Sequence, residues 1–189
     1  MKINLFSEGN KMQKIKKIRF GYWIPLIFCA VCLALFIRLF VLVPLQVEGD
    51  SMEPTLHNRD EVLVRHFGKI KRFDIVVIKM PSGETYIKRV IGLPGEKIEY
   101  KDDKLYVDGK YIPEKFLEPL DLDTKQTYTS DFTLKDLLNV DTVPEGRYFV
   151  LGDNRRISKD SRTFGAVKTE WIQGQAVLTY WPLKNFSWL

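Results

Sequence analysis

From Gly21 to Val43 the chain reads GYWIPLIFCAVCLALFIRLFVLV, 23 residues broken by a single charge, Arg38. As a helix, a run of that length is long enough to cross the hydrocarbon core of a bilayer, and little else in a folded protein accommodates it. A cleaved leader would end in a small-x-small site. Here the apolar run instead resumes after Arg38 and continues into Pro44, Leu45 and Gln46, which predicts a retained anchor over residues 21–43. Lys2, Lys11, Lys14, Lys16, Lys17 and Arg19 precede it against one acid, Glu8. That excess places residues 1–20 on the cytoplasmic side and residues 44–189 outside, as a single-pass protein of the cell membrane. Tyr22 and Trp23 suit the interface at the basic end, and Arg38 is near enough to the far end to snorkel toward water.

The formal net charge of +5 resides in this N-terminal cluster, which leaves the remainder balanced. No basic patch interleaved with aromatic residues follows, so no nucleic acid is expected as a partner. Both cysteines, Cys29 and Cys32, fall inside the apolar run, where a C-x-x-C redox or metal site lacks polar support. Without disulfides, residues 44–189 must fold around an ordinary apolar core, and they are numerous enough to do so.

Short β-rich runs recur in that part: EVLVRHF (61–67), FDIVVIKM (73–80), ETYIKRVIG (84–92), KIEY (97–100), KLYVDGKYI (104–112), RYFVLGD (147–153) and QAVLTYW (175–181). Asp108-Gly109 reads as a two-residue hairpin turn and Pro81-Ser82-Gly83 as a second turn. A mostly β extracytoplasmic domain is expected. Residues 113–143 read as a small cap or insertion, in which TLKDLLN (133–139) can form only a short helix.

Histidine is scarce. His57 lies in a turn-like HNRD and His66 at the end of an alternating strand, which disfavours a Ser/His/Asp triad, and two separated histidines make no metal-ligand set. A hydrolase built on this chain therefore needs another base. Ser51, in VEGDSMEPTL directly beyond the anchor, is a serine in a Gly-containing turn, and taken alone it could be no more than that. Lys88, in TYIKRVIGLPGE, has Ile87, Val90 and Ile91 around it. A lysine so placed can lose water and present a neutral amine, although a solvated strand lysine is the commoner outcome. A neutral amine within reach of a serine hydroxyl can take its proton. Leu151–Gly165, LGDNRRISKDSRTFG, has the mixed small and charged composition of a site loop or of a surface turn.

An N-terminal anchor followed in order by GDSMEPTL, FDIVVIK, YIKRVIGLPGE and GDNRRISKDSRTFG resembles the bacterial type I signal peptidases of the short, Gram-positive kind, over nearly the whole chain from residue 21. The resemblance implies a membrane-bound serine endopeptidase with Ser51 as nucleophile and Lys88 as general base, and no cofactor or metal. Met52 and Pro54 would shape the turn, and Ser158 would hydrogen-bond and orient the lysine amine. It further implies ion pairs of Asp153 with Arg89 and of Asp160 with Arg162, and a close backbone approach at Gly152. Leu45, Val47 and Ile87 match substrate-binding positions. The implied partners are signal peptides of exported preproteins with small residues at the first and third positions before the cut, the lipid bilayer, and the neighbourhood of the secretion translocon. Gram-negative members carry a serine two residues before the nucleophile as an oxyanion donor. This chain has Gly49, which leaves the backbone amide of Ser51 as a donor and the second donor unassigned.

Other classes are less well matched. A non-cleaving peptide-binding relative would lack Ser51 or Lys88, the soluble self-cleaving repressors with a Ser/Lys pair lack the anchor and the GDNR segment, and eukaryotic-type signal peptidases have histidine at the lysine position. The C-terminal Trp181, Phe186, Trp188 and Leu189 suit either lipid contact or ordinary packing.

Overall fold

The computed structural model describes residues 23–33, 42–66, 68–117 and 127–189. The chain divides into two units that part between Leu42 and Val43. Of the first unit, residues 23–33 form a helix (α1) whose Trp23, Ile24, Leu26, Ile27, Phe28, Val31 and Leu33 are exposed. Among the described residues no helix is long and apolar enough to cross a membrane. The basic segment 1–20, Arg38 and most of the remaining expected anchor lie outside the described residues. Its last two residues, Leu42 and Val43, belong to a strand instead, because the chain already pairs at the sheet edge there.

The second unit is built on two antiparallel sheets. The larger has eight strands, and seven of them run in the order β1 (Leu42–Gln46), β2 (Glu61–Arg65), β11 (Ile172–Trp181), β3 (Ile75–Lys79), β4 (Thr85–Gly92), β9 (Arg147–Leu151) and β10 (Val167–Lys168). The eighth, β12 (Ser187–Trp188), pairs with β11. The smaller sheet runs β7 (Lys110–Ile112), β6 (Lys104–Val107), β5 (Ile98–Lys101) and β8 (Phe132–Thr133).

Strand β3 shows why the larger sheet is stable. Its IVVI run is buried on both faces: Ile75 and Val77 join Val47, Met52, Leu56, Val62, Val64 and Ala176, whereas Val76 and Ile78 join Val90, Val150 and Val167. Successive strand side chains point to opposite faces, so an uninterrupted apolar run is what a strand covered on both sides requires. A third cluster unites the two sheets, with Tyr100, Leu105 and Phe132 packed on Phe149, Leu151 and Ile91. The rings of Phe132 and Phe149 lie 5.9 Å apart.

Asp108 and Gly109 both take positive φ, 50° and 76°, which is the conformation a two-residue hairpin between β6 and β7 needs. Helix α2 (Leu134–Leu138) starts at Thr133, whose hydroxyl accepts from the Asp136 amide while the Asp136 carboxylate accepts from the Thr133 amide. Two further short elements matter below: a 3-10 turn, Lys115–Leu117, and α3 (Ser161–Phe164).

The cap expected at 113–143 is not a separate insertion. Its β8 completes a sheet whose other strands come from 98–112, so the distinct layer begins at Ile98. Local alternation cannot reveal which sheet a strand joins; the Phe132 contacts to Tyr100 and Phe149 decide it.

Phe149, fully buried where the two sheets meet, is expected to cost about 3–5 kcal/mol on replacement by Ala, to be measured by chemical denaturation of the Phe149→Ala variant.

Candidate active site

The chain leaves β1 through a tight turn. Gly49 takes φ +84°, a conformation L side chains rarely adopt, and Glu53 N donates to Asp50 O at 3.2 Å and Leu56 N to Met52 O at 2.9 Å. Met52 and Leu56, spaced one helical turn apart, are buried in the cluster beneath β2 and β3. Their burial holds the turn down and leaves Ser51 half-buried at its crest.

Lys88 reaches the crest from β4, where it pairs with Val76. It is 2% exposed. Its Nζ lies 2.7 Å from Ser51 Oγ and donates to the Ile87 carbonyl oxygen at 2.9 Å. Burial pushes the amine down from 10.5 to about 8, because an ammonium would give up its hydration, and the negative fields of Asp160 and Asp153 offset only part of that cost.

The loop after β9 closes the third side. Asn154 N donates to Ser51 O at 3.1 Å. A Cβ at Gly152 would overlap Ser158 Oγ and the Ser51 carbonyl oxygen, so only glycine lets this loop lie against the nucleophile. The buried Asp160 fixes the loop: its carboxylate accepts from Gly152 N at 3.1 Å and caps α3 through Arg162 N. Arg162 Nε and Nη2 add bonds to it of 2.9 and 2.8 Å.

Arg89, next to Lys88, makes a forked bond to Asp153, Nε to Oδ1 at 2.8 Å and Nη2 to Oδ2 at 2.6 Å. It also donates to Phe73 O at 2.8 Å and stacks 3.9 Å from the Phe116 ring. Such a pair is costly to break from one side, about 3–5 kcal/mol, because the remaining charge stays buried.

Ser158 departs from expectation. The structure brings it beside Gly152 and Ser51, but its buried Oγ makes no hydrogen bond, and the expected bond to Lys88 is not formed. The Lys88 amine is already engaged by Ser51 Oγ and Ile87 O.

Several contributors carry no signal of their own in the sequence. Arg155, 2% exposed, donates to Gly152 O at 3.0 Å and to Tyr100 OH at 2.9 Å, and it pairs with Glu114 at 2.5 Å. Tyr128 OH donates to Asp153 O at 2.7 Å, and Val150 N donates to Ser161 Oγ at 2.9 Å. Glu114 and Phe116 reach Arg155 and Arg89 respectively from the segment that follows β7. Arg155 and Ser161 stand within GDNRRISKDSRTFG, but nothing in that segment marks them out from their neighbours.

Beside Ser51 opens a groove of about 250 Å³, walled by residues 45–49 on one side and 85–88 on the other. Leu45, Val47 and Ile87 all line it, Val47 almost wholly within the core. Strand β9 meets β4 only from Arg89 onward, so among the described residues the backbone of Thr85 to Lys88 has no strand partner on that side. Among the described residues the amide of Ser51 has no protein acceptor, while Gly49 N donates to Asn58 Oδ1 at 3.3 Å. Neither histidine lines the groove: His57 lies 3.7 Å from Asp60, and His66 Nδ1 is 2.6 Å from Gln173 O. Among the described residues no group of three or more His, Cys, Asp or Glu side chains is arranged to hold a metal ion.

Comparison with known proteins matches residues 20–181 to the family described as signal peptidase, peptidase S26. Signal peptidase I of Bacillus caldolyticus is 46% identical over 182 residues, 93% of this chain and 97% of that one. Signal peptidase IB of Staphylococcus aureus (strain MRSA252) is 38% identical over 176 residues, 88% of this chain and 92% of its own. The crystal structure of a signal peptidase I from Enterococcus faecalis V583 superposes with a TM-score of 0.55 at 45% identity, covering 58% of this chain and 98% of that chain.

A depressed lysine has a consequence for stability. Lys88 holds its proton less tightly when folded (about 8) than when unfolded (10.5), so the fold carries the full penalty below about pH 8 and sheds it as pH rises toward 10.5. Relative to the parent, Lys88→Met should gain about 3 kcal/mol at pH 7, a difference that shrinks between pH 8 and 10.5 in paired urea titrations.

Proposed function

Because this chain belongs to the signal peptidase I family of serine peptidases, peptidase S26, we propose that Ser51 and Lys88 form the dyad with which it cleaves signal peptides from exported preproteins. The contact that supports this reading is the 2.7 Å approach of Ser51 Oγ to a buried amine that ionises near pH 8. In the proposed reaction Ser51 Oγ attacks the scissile carbonyl and its proton passes to Lys88 Nζ. The amide of Ser51 donates to the oxyanion as charge develops there. Collapse of the tetrahedral adduct releases the new amino terminus, which takes its proton from the Lys88 ammonium. A water molecule, deprotonated by the regenerated amine, then hydrolyses the acyl ester.

The substrate lies extended in the groove and adds its backbone to the unpaired edge of β4 at residues 85–88. Leu45, Val47 and Ile87 form shallow apolar walls there, and the small volume favours small residues at the first and third positions before the cut. Gly152, Asp153, Arg89, Asp160 and Arg162 hold the loop and strand in register without taking part in the chemistry. Ser158, whose Oγ makes no bond to the lysine amine here, would orient it only after a change of side-chain rotamer.

We read the apolar run that begins at Gly21 and gives way to β1 at Leu42 as an anchor that crosses the cell membrane once, with residues 1–20 cytoplasmic and the peptidase domain outside. Only residues 42–50 separate that run from Ser51, a reach of roughly 30 Å at full extension. The site therefore works beside the lipid, where a signal peptide's apolar segment is held as it leaves the translocon. The exposed Trp181, Leu183, Phe186 and Trp188 suit contact with that surface.

Ser51→Ala and Lys88→Ala should each abolish cleavage of a signal-peptide substrate with Ala at both small positions, while near-UV circular dichroism stays native. Lys88→Arg should be equally inactive, since a guanidinium keeps its proton. Cleavage retained by purified Ser51→Ala would sink the mechanism, as would equal turnover of a substrate with a bulky residue at the third position. The base must be neutral, so log kcat/KM should climb with unit slope below about pH 8 and level off above it.

A further inference from the structure

Thr55 takes no part in the steps above, yet its hydroxyl sits where the three segments of the site meet. Oγ1 donates to Asp153 Oδ2 at 2.5 Å and accepts from Arg89 Nη2 at 3.2 Å. Arg89 Nη2 donates to the same carboxylate oxygen at 2.6 Å, which closes a triangle. One corner belongs to the turn that carries Ser51, and the second to the residue next to Lys88 on β4. The third belongs to the loop residue next to Asn154, whose amide holds the Ser51 carbonyl at 3.1 Å.

The remaining anchors of the turn are of another kind. Met52 and Leu56 fix its depth through apolar contacts, which are non-directional and tolerate sliding. A hydroxyl shared between a buried carboxylate and a buried guanidinium does not, because charge-assisted bonds in a region of low dielectric are short and directional. Asp153 is fully buried and Arg89 nearly so.

We propose that Thr55 is a positioning residue for cleavage: its hydroxyl locks the turn bearing Ser51 onto the Arg89–Asp153 fork and so sets the separation of Ser51 Oγ from Lys88 Nζ. The proposal rests on the Ser51/Lys88 reading. It requires that a side chain of the same shape without the hydroxyl leave the turn packed but free to shift along the strand.

Thr55→Val and Thr55→Ser, made in the full chain and assayed in detergent micelles with a synthetic signal-peptide substrate, separate the possibilities. Thr55→Val should lower kcat by about 10- to 100-fold with KM changed less than about twofold, since small displacements of reacting groups cost rate before binding. Thr55→Ser should recover most of the lost kcat. A merely structural role would lower the melting temperature while leaving kcat per folded molecule unchanged, and that result overturns the proposal. So does a serine variant as slow as the valine variant. If neither Thr55→Val nor Thr55→Ala yields folded protein, Thr55 serves folding and the proposal likewise fails. Ser51→Ala assayed alongside distinguishes the two readings: an active Ser51→Ala removes the dyad, whereas an inactive one beside a normal Thr55→Val removes only the role of Thr55.

Discussion

A lysine amine held 2.7 Å from a serine hydroxyl, with almost no access to water, is the constraint around which this domain is arranged. An ammonium in that position would forfeit its hydration, and the protein meets this by lowering the amine's proton affinity to about 8. Asp153 and Asp160 lie near enough to oppose the shift, yet each is engaged elsewhere, Asp153 by Arg89 and Asp160 by Arg162 and backbone amides. Carboxylates committed in this way stabilise the loop without fully charging the lysine.

Holding that geometry demands three segments far apart in sequence. The turn at 49–56, strand β4 and the loop after β9 are not contiguous in the chain. They are joined instead by directional bonds: Asn154 to the Ser51 carbonyl, Thr55 to Asp153, and Arg89 to Asp153. The smaller sheet contributes from behind, through Phe116 on the Arg89 guanidinium and Glu114 on Arg155. Gly152 is the permissive element, because any side chain there would occupy the space of Ser158 and of the Ser51 carbonyl.

Much of the fold was legible from local pattern. The seven expected strand runs correspond to β2 to β7, β9 and β11, and the Asp108-Gly109 hairpin has the positive φ angles its residues favour. The strands that escaped notice, β1, β8, β10 and β12, are either two residues long or continuous with the apolar run that precedes them. Such segments have too few residues to show alternation; pairing with a neighbour creates them. The division into two sheets escaped for the same reason, since it depends on where Phe132 packs. At the site, Ser51, Lys88 and the two Asp/Arg pairs could be read from ordered motifs, whereas Thr55, Glu114, Phe116, Tyr100 and Tyr128 resemble ordinary turn and strand residues until their partners are known.

The sequence by itself determined the chemistry available: one serine in a glycine-bearing turn beyond an apolar run, one lysine among β-branched neighbours, and a loop rich in paired charges. These are properties of residue type and short-range order, which need no third dimension. Only the tertiary structure decided that Lys88 is dry, that its amine meets Ser51 rather than Ser158, and that Thr55 bridges turn, strand and loop. Burial and hydrogen-bond choice depend on what other segments bring within a few ångströms, and that is set by the packing of the two sheets rather than by any stretch of the chain alone.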